Sequence, residues 1–232
     1  VRFMIIPDQA AAKAALLSGA IDVLTDIANS DLAELKARND VTVDVVATMS
    51  LNNLLMQTRD PLLSDIRIRR ALALSLDHKA LVEAVSEGTA TYNASAIPVS
   101  SAFHTPPHRQ GYTRDLATAR RLLAEAGYNG QPIRMLANRR YTSMFDAAVL
   151  AQAMAQEAGI RIEIEVLDWA TQLDRYTRGD YQMMSFSYSA RLDPSLSYEM
   201  FSGPKETQPR KVWENAEALA KLRESMATSD PD

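Results

Sequence analysis

Apolar positions along the chain follow two spacings, one typical of strands and one typical of helices. Short apolar or alternating runs, which predict strands, occupy residues 1 to 6, 21 to 24, 41 to 45, 133 to 137, 160 to 167 and 181 to 186. Helical spacing covers residues 8 to 19, 30 to 35, 64 to 76, 77 to 88, 115 to 127, 143 to 158, 170 to 178 and 210 to 226. Strands separated by such helices need crossovers, so the pattern predicts an α/β fold with a mixed, largely parallel sheet flanked by helices.

Capping residues support several of these helix limits. Asp8, Asp77 and Asp115 each stand directly before a helical run, where a carboxylate accepts a hydrogen bond from a free backbone N–H. Gly19 and Gly127 follow two of the runs, at the position where a helix commonly turns into a left-handed residue. We therefore expect helices to begin and end at these residues.

The composition indicates an ordinary folded protein, with 47% hydrophobic and 23% charged residues. Basic residues occur in short groups and the net charge is −4, so we predict no nucleic-acid partner. The sequence has no phosphate-binding glycine loop, no nucleophile elbow, no HExxH helix and no Cys. We therefore predict no catalytic residue, no resident metal and no cofactor, and hence a protein that is not an enzyme.

Residues 92 to 113 form a long connection with no regular period, the kind of loop that is often functional. His104 and His108 lie in it four residues apart, the spacing at which a helix places two imidazoles on one face. Pro106 and Pro107 stand between them and exclude such a helix. A metal-dependent hydrolase that uses both histidines is therefore only an alternative to an exposed loop with incidental histidines.

Residues 185 to 194 leave the last predicted strand and enter a loop that ends at a proline. Tyr188, Ser189, Arg191 and Asp193 supply this loop with a ring, a hydroxyl, a cation and a carboxylate. Ligands of open α/β sheets collect at the carboxyl ends of strands, so these four residues are candidate ligand contacts. A surface loop whose Tyr188 packs on its own domain explains the pattern equally well, and the sequence leaves both interpretations open.

Arg139, Arg140 and Tyr141 follow the strand that ends at residue 137, and they are candidates by the same reasoning. Two such loops on neighbouring strands would face one cleft.

Five segments, in this order, resemble the solute-binding proteins of peptide, nickel and opine ABC importers. They are residues 16 to 23 (LLSGAIDV), 65 to 77 (DIRIRRALALSLD), 119 to 127 (ARRLLAEAG), 159 to 160 with 168 to 169 (GI and DW), and 179 to 181 (GDY). Each segment is degenerate alone, but the five in the family's order are specific, and the match extends over essentially the whole chain. Trp169, in one of these segments, joins the candidate ligand contacts.

The resemblance implies a two-lobed protein that closes on its ligand. Residues 1–53 would be the C-terminal part of the first lobe up to the hinge, a short α/β piece. Residues 54–232 would be most of the second, ligand-binding lobe, a periplasmic-binding-protein-like lobe truncated at its C-terminus. Residues 1 to 6 are too short for a secretory apolar region and the chain lacks an initiator Met, so we interpret its start as a point within a longer protein.

The function that the resemblance implies is capture of a peptide or peptide-like (opine-like) solute and its delivery to the permease and ATPase subunits of an ABC importer in the membrane. The location would be periplasmic, or lipid-anchored outside the cytoplasm. Dipeptide binders of the family use an acidic residue where this chain has Ala190, and an Arg after the preceding strand, a role open to Arg139 or Arg140. An extracytoplasmic chaperone or sensor lobe is the alternative, because related lobes are reused in that way.

Overall fold

The computed structural model describes residues 1–25, 27–189 and 191–228. The chain divides into two compact units, Val1–Val46 and Ala47–Asp232. This division is N-terminal to the predicted boundary at residue 53. The predicted boundary falls inside a strand, Leu51–Met56. The strand is hydrogen-bonded to the sheet of the second unit, so the unit begins before it. The assignment of the two units to two lobes stays a prediction.

The regular structure described in the first unit is helical. It comprises α1 (Gln9–Leu17), a 3-10 helix (Asn29–Asp31) and α2 (Leu32–Lys36). Asp8 caps α1, as predicted, by accepting a hydrogen bond from the Ala11 N–H at 2.8 Å. The Lys13 ammonium donates to Asp31 at 2.7 Å and to Glu34 at 2.9 Å, so α1 is tied to the start of α2.

Residues 1 to 6, 21 to 24 and 41 to 45 form no strand, so the predictions of strands there are wrong. A strand is stable only when its backbone groups pair with a neighbour and one face is covered. The described part of the first unit supplies no partner strand to these segments, and Phe3 and Ile5 are 90% and 94% exposed. Apolar content alone therefore did not make these segments strands.

The second unit contains the sheet, and the prediction of a mixed, largely parallel arrangement is confirmed. The described strands are β1 (Leu51–Met56), β2 (Ile133–Asn138), β3 (Ile162–Leu167) and β4 (Met183–Tyr188), in the spatial order β1-β4-β2-β3. β2 pairs in parallel with β3 and β4, whereas β1 runs antiparallel to β4 with Leu51 opposite Tyr188. The carboxyl ends of β2, β3 and β4 therefore lie at one edge of the sheet.

Helices connect the strands and follow the last one. They are α3 (Ile66–Ser75), α4 (His78–Ser86), α5 (Leu116–Glu125), α6 (Thr142–Glu157), α7 (Trp169–Arg178), α8 (Pro194–Glu199) and α9 (Ala216–Ala227). Asp77 and Asp115 cap α4 and α5 through hydrogen bonds from backbone N–H groups, as predicted. The sequence did not predict β1 or α8, and α9 begins at residue 216 rather than 210. No helix in the described ranges is long and apolar enough to cross a membrane.

Apolar side chains cover both faces of the sheet. Ile133, Met135 and Ala137 of β2 pack with residues of α3, α5 and α6 on one face. Leu136, between them in sequence, points to the other face and packs with aromatic residues of α7 and β4. This alternation, with helices on both faces, is the layered arrangement expected of a largely parallel sheet.

Candidate ligand-binding site

The structure brings together two of the predicted residues, Tyr141 and Trp169, which follow neighbouring strands. Tyr141 lies after β2 and Trp169 begins α7 after β3, and their rings meet edge to face with centroids 5.1 Å apart. The Trp169 ring stacks on Phe186 of β4 at 5.6 Å and 24°. Tyr141 and Trp169 are both half-buried. The carboxyl edge of the sheet therefore carries an aromatic platform, which we define as Tyr141, Trp169 and Phe186.

Two exposed arginines, Arg139 and Arg140, come directly before Tyr141 in the chain, and Arg140 lies beside the platform. The Arg140 guanidinium lies 5.7 Å from the centroid of the Tyr141 ring, and that of Arg139 lies 4.5 Å from the Phe145 ring. A guanidinium that lies over a ring keeps its N–H groups at the rim of its own plane, where they can donate to a carboxylate. The arrangement is therefore suited to an anionic group next to an apolar one.

Buried polar side chains fix the backbone next to the platform by hydrogen bonds. Asn138, at the end of β2, donates through Nδ2 to Gln172 Oε1 at 2.7 Å and accepts from the Tyr141 N–H at 3.0 Å. Gln172 of α7 donates in turn to the Ser185 carbonyl at 2.8 Å. Asn138 and Gln172 are fully buried. One chain of hydrogen bonds thus connects the end of β2, α7 and β4, and it fixes the backbone at Tyr141.

Sequence reasoning missed this network. The available signal was a polar residue at each of two positions that the periodicity assigns to the interior, Asn138 at the end of an apolar strand and Gln172 on the inward side of a helix. Such residues need partners when they are buried.

Tyr188, the predicted aromatic ligand contact, lies in the core. It is 6% exposed, its ring packs against Phe201 at 4.9 Å and Phe186 at 5.4 Å, and its Oη lies 3.0 Å from Tyr176 Oη. Burial raises the pKa of Tyr188, because the phenolate would lose its hydration. Of the two interpretations that the sequence left open, the structure favours packing within the domain.

The other predicted residues of this loop have different environments. Asp193 caps α8 by accepting from the Ser195 Oγ at 2.5 Å and the Ser195 N–H at 2.8 Å, and these two hydrogen bonds, in that order, lower the pKa of Asp193. Ser189 is exposed and Arg191 is half-buried, while Ala190 lies outside the described residues. Asp193 therefore has a structural task, and Ser189 and Arg191 remain candidate contacts.

His104 and His108 lie close together, with ring centroids 5.6 Å apart, around a 3-10 helix at Pro106–Arg109. The Thr105 N–H donates to His108 Nδ1 at 2.9 Å, and His108 Nε2 lies 3.0 Å from Tyr198 Oη. Among the described residues, no group of three or more His, Cys, Asp or Glu side chains is arranged to hold a metal ion. His108 therefore connects the long loop to α8.

A polar groove of about 470 Å³ lies at the opposite edge of the sheet, by the start of β2 and β4 and the end of β1. Arg59, Arg134 and Arg175 line it. Arg175 bonds to Glu165 and Asp180 at 3.1 Å, while the Arg59 guanidinium donates to the Pro209 carbonyl at 2.7 Å. These cations thus have partners within the protein.

Comparison with known proteins assigns the fold and the family together. Residues 1–209 match the model of the bacterial extracellular solute-binding proteins, family 5 Middle. The chain belongs to this family. Among solved structures, it superimposes with a TM-score of 0.87 on the ABC transporter-associated periplasmic binding protein DppA from Helicobacter pylori in complex with the peptide STSA, at 24% identity over 97% of this chain and 45% of that one.

Other relatives differ in their named ligands. The dipeptide binding protein from Pseudoalteromonas sp. SM9913, in complex with Met-Leu, gives a TM-score of 0.86 at 22% identity and covers 98% of this chain and 46% of its own. The probable D,D-dipeptide-binding periplasmic protein DdpA of Escherichia coli is 25% identical over 99% of this chain and 45% of its own length. Heme-binding protein A of Haemophilus influenzae is 28% identical over 80% of this chain and 35% of its own length. The chain thus spans less than half the length of these family members.

Proposed function

We propose that the chain is part of the substrate-binding component of an ABC importer and that it captures a peptide or peptide-like solute, including opine-like conjugates. The captured solute passes to a permease and its ATPases in the membrane. Family membership supports this role, and the peptides named in two structural relatives support the ligand class. The periplasmic names of relatives support a periplasmic or lipid-anchored location. In this proposal the second unit belongs to the ligand-binding lobe and the first unit to the end of the other lobe.

The platform at the carboxyl edge of the sheet is the observation that carries this proposal. Tyr141 and Trp169 offer half-buried ring surface for an apolar side chain, and Arg140 adds donors for a carboxylate. Ligand capture of this kind needs stacking, hydrogen bonds and charge, but no bond-making step. We therefore propose binding without enzymatic activity.

A titration observed by nuclear magnetic resonance tests the proposal at the atoms concerned. The probe is trialanine, compared with its C-terminal amide, and the signals are the indole N–H groups of Trp169 and Trp213. Trp213 lies after α8, outside the platform, and serves as an internal reference. We expect trialanine to shift the Trp169 signal with at least about tenfold higher affinity than the amide, because hydrogen bonds to a charged group contribute about 1.5–3 kcal/mol.

Two variants decide which residue recognises the carboxylate. Arg140→Gln is expected to remove the preference for trialanine over its amide, whereas Arg223→Gln, an exposed control on α9, is expected to leave it unchanged. Opines, oligosaccharides, nickel chelates and haem form the rest of the panel. A Trp169 signal that responds to none of them contradicts the proposed function, and a response to haem alone contradicts the ligand class.

A further inference from the structure

Lys211 is an unusual residue in this protein because its side chain is completely buried. Its ammonium donates to the carboxylate and to the backbone carbonyl of Glu199, the last residue of α8. The stem packs so tightly on Gly203 that a Cβ added at Gly203 would lie 2.8 Å from Lys211 Cγ. Removing an ammonium from water is costly unless it is paired, and the same desolvation lowers the pKa of Lys211.

Arg210, the residue before Lys211, is linked through Tyr176 to the end of β4. Arg210 donates to Tyr176 Oη at 3.0 Å, and Tyr176 Oη lies 3.0 Å from Oη of Tyr188, the last residue of β4. Arg210 also lies 3.7 Å from the Glu199 carboxylate. Consecutive residues of the connection between α8 and α9 therefore hold the end of β4 and the end of α8.

Between these two fixed ends lie the β4–α8 loop and α8. We define the β4–α8 loop by its described residues, Ser189 and residues 191–193. The loop begins directly after Tyr188 and ends at Asp193, which caps the start of α8. The position of Arg191 therefore depends on where α8 lies, and the end of α8 depends on Glu199 and its partner Lys211.

We propose that Lys211 is a positioning residue that holds the β4–α8 loop in the orientation used for ligand contact. The purpose of the loop rests on the proposed function, whereas the mechanical role of Lys211 does not. An apolar residue of similar length fills the same space without the desolvation cost, and buried ion pairs replaced in this way often leave stability unchanged or raise it. What the ammonium adds is direction, because its hydrogen bonds fix where the last turn of α8 lies.

Hydrogen–deuterium exchange of the intact chain, resolved to residues 188–199, separates positioning from simple stabilisation. The test variant is Lys211→Met combined with Glu199→Gln, so that no charge is left buried without its partner. Lys211→Met alone is the comparison. Lys205→Met is the matched control, because Lys205 also lies between α8 and α9 but donates to Thr58 at 2.8 Å instead of to α8.

We expect the double variant to keep the thermal midpoint of the parent within a few degrees. Exchange in residues 188–199 is expected to rise at least about tenfold, the factor that a hydrogen bond to a charged group contributes. Lys205→Met is expected to leave exchange in this segment unchanged. If the double variant, unlike Lys211→Met alone, has both the thermal midpoint and the exchange rates of the parent, the ion pair only stabilises the fold and the positioning role is overturned.

The trialanine titration tests whether the loop contacts the ligand. Weaker trialanine binding by the double variant, by about the same factor as the rise in exchange, supports the use of the loop for ligand contact. Unchanged affinity together with faster exchange overturns that use. If the parent itself binds no probe, the proposed function fails, while the exchange rates still decide whether Lys211 positions the loop.

Discussion

Replacing Asn138 with alanine is expected to lower the free energy of unfolding by about 2–4 kcal/mol, because the buried Gln172 and the partly buried Tyr141 N–H lose their hydrogen bonds at once. Asn138 and Gln172 are both 0% exposed, so water does not replace the bond between them. The unpaired Gln172 oxygen costs about 1–3 kcal/mol. The Tyr141 N–H is only partly buried, and its lost bond adds about 1 kcal/mol.

Urea unfolding followed by circular dichroism measures this loss, with Asn129→Ala as the control. Asn129 is exposed, and its substitution is expected to change stability by less than about 0.5 kcal/mol. Because Asn138 also fixes the Tyr141 backbone, Asn138→Ala is expected to weaken trialanine binding, which Asn129→Ala leaves unchanged. A loss below about 1 kcal/mol, with an unaltered urea slope, would refute the reasoning that the network holds the platform.

Three further predictions concern the aromatic core and the histidines. Tyr188→Ala is expected to cost about 3–5 kcal/mol in urea unfolding, and Tyr188→Phe only about 1 kcal/mol, because the second keeps the ring; equal losses contradict this. Burial raises the pKa of Tyr181 and Tyr188, so above pH about 10 the unfolded chain releases protons that the folded chain keeps, and the thermal midpoint is expected to fall as pH rises. A flat midpoint up to pH 11 contradicts it. Zinc is expected to be lost on dialysis, since His104 and His108 lack a third described ligand; one retained equivalent that His108→Ala abolishes refutes this.

Helix limits were predictable where a single residue decides them. Asp77 and Asp115 cap helices through their own side chains, so the signal lies within three residues of the sequence. The loop was predicted to end at the proline at 194, but no helix was predicted after it; with Asp193 before it as a cap, the proline begins α8, because proline is favoured in the first turn. Asp193 and Pro194 together are the signal for this helix start.

Strands were predictable only where the chain supplies their partners. The runs of β2 and β4 were recognised because both strands are largely buried, whereas β3, an edge strand, was recognised from its alternation of apolar and polar residues. β1, with Asn52 and Asn53 in its middle, shows no strand period, and it is a strand because β4 pairs with it from far along the sequence. The apolar segment at residues 1 to 6 has the composition of a strand and no described partner.

The candidate site was predicted at the level of position but not of side-chain environment. Strand ends and loop composition placed Tyr141 at this edge and the family resemblance added Trp169, and their rings do meet. Whether a ring faces solvent or the core depends on the helix that covers it, and α7 brings Tyr176 against Tyr188. No spacing within the loop itself carries that information.

The antiparallel pairing of β1 with β4 has a consequence for biosynthesis. A ribosome releases β1 long before β4, so Leu51 and Leu55, which are 8% and 3% exposed in the finished fold, have no partner strand while the intervening chain is made. β2 and β3 can pair in the meantime, since both precede β4 in the sequence. A nascent chain that stalls before residue 183 therefore carries the apolar residues of β1 without the strand that pairs with them.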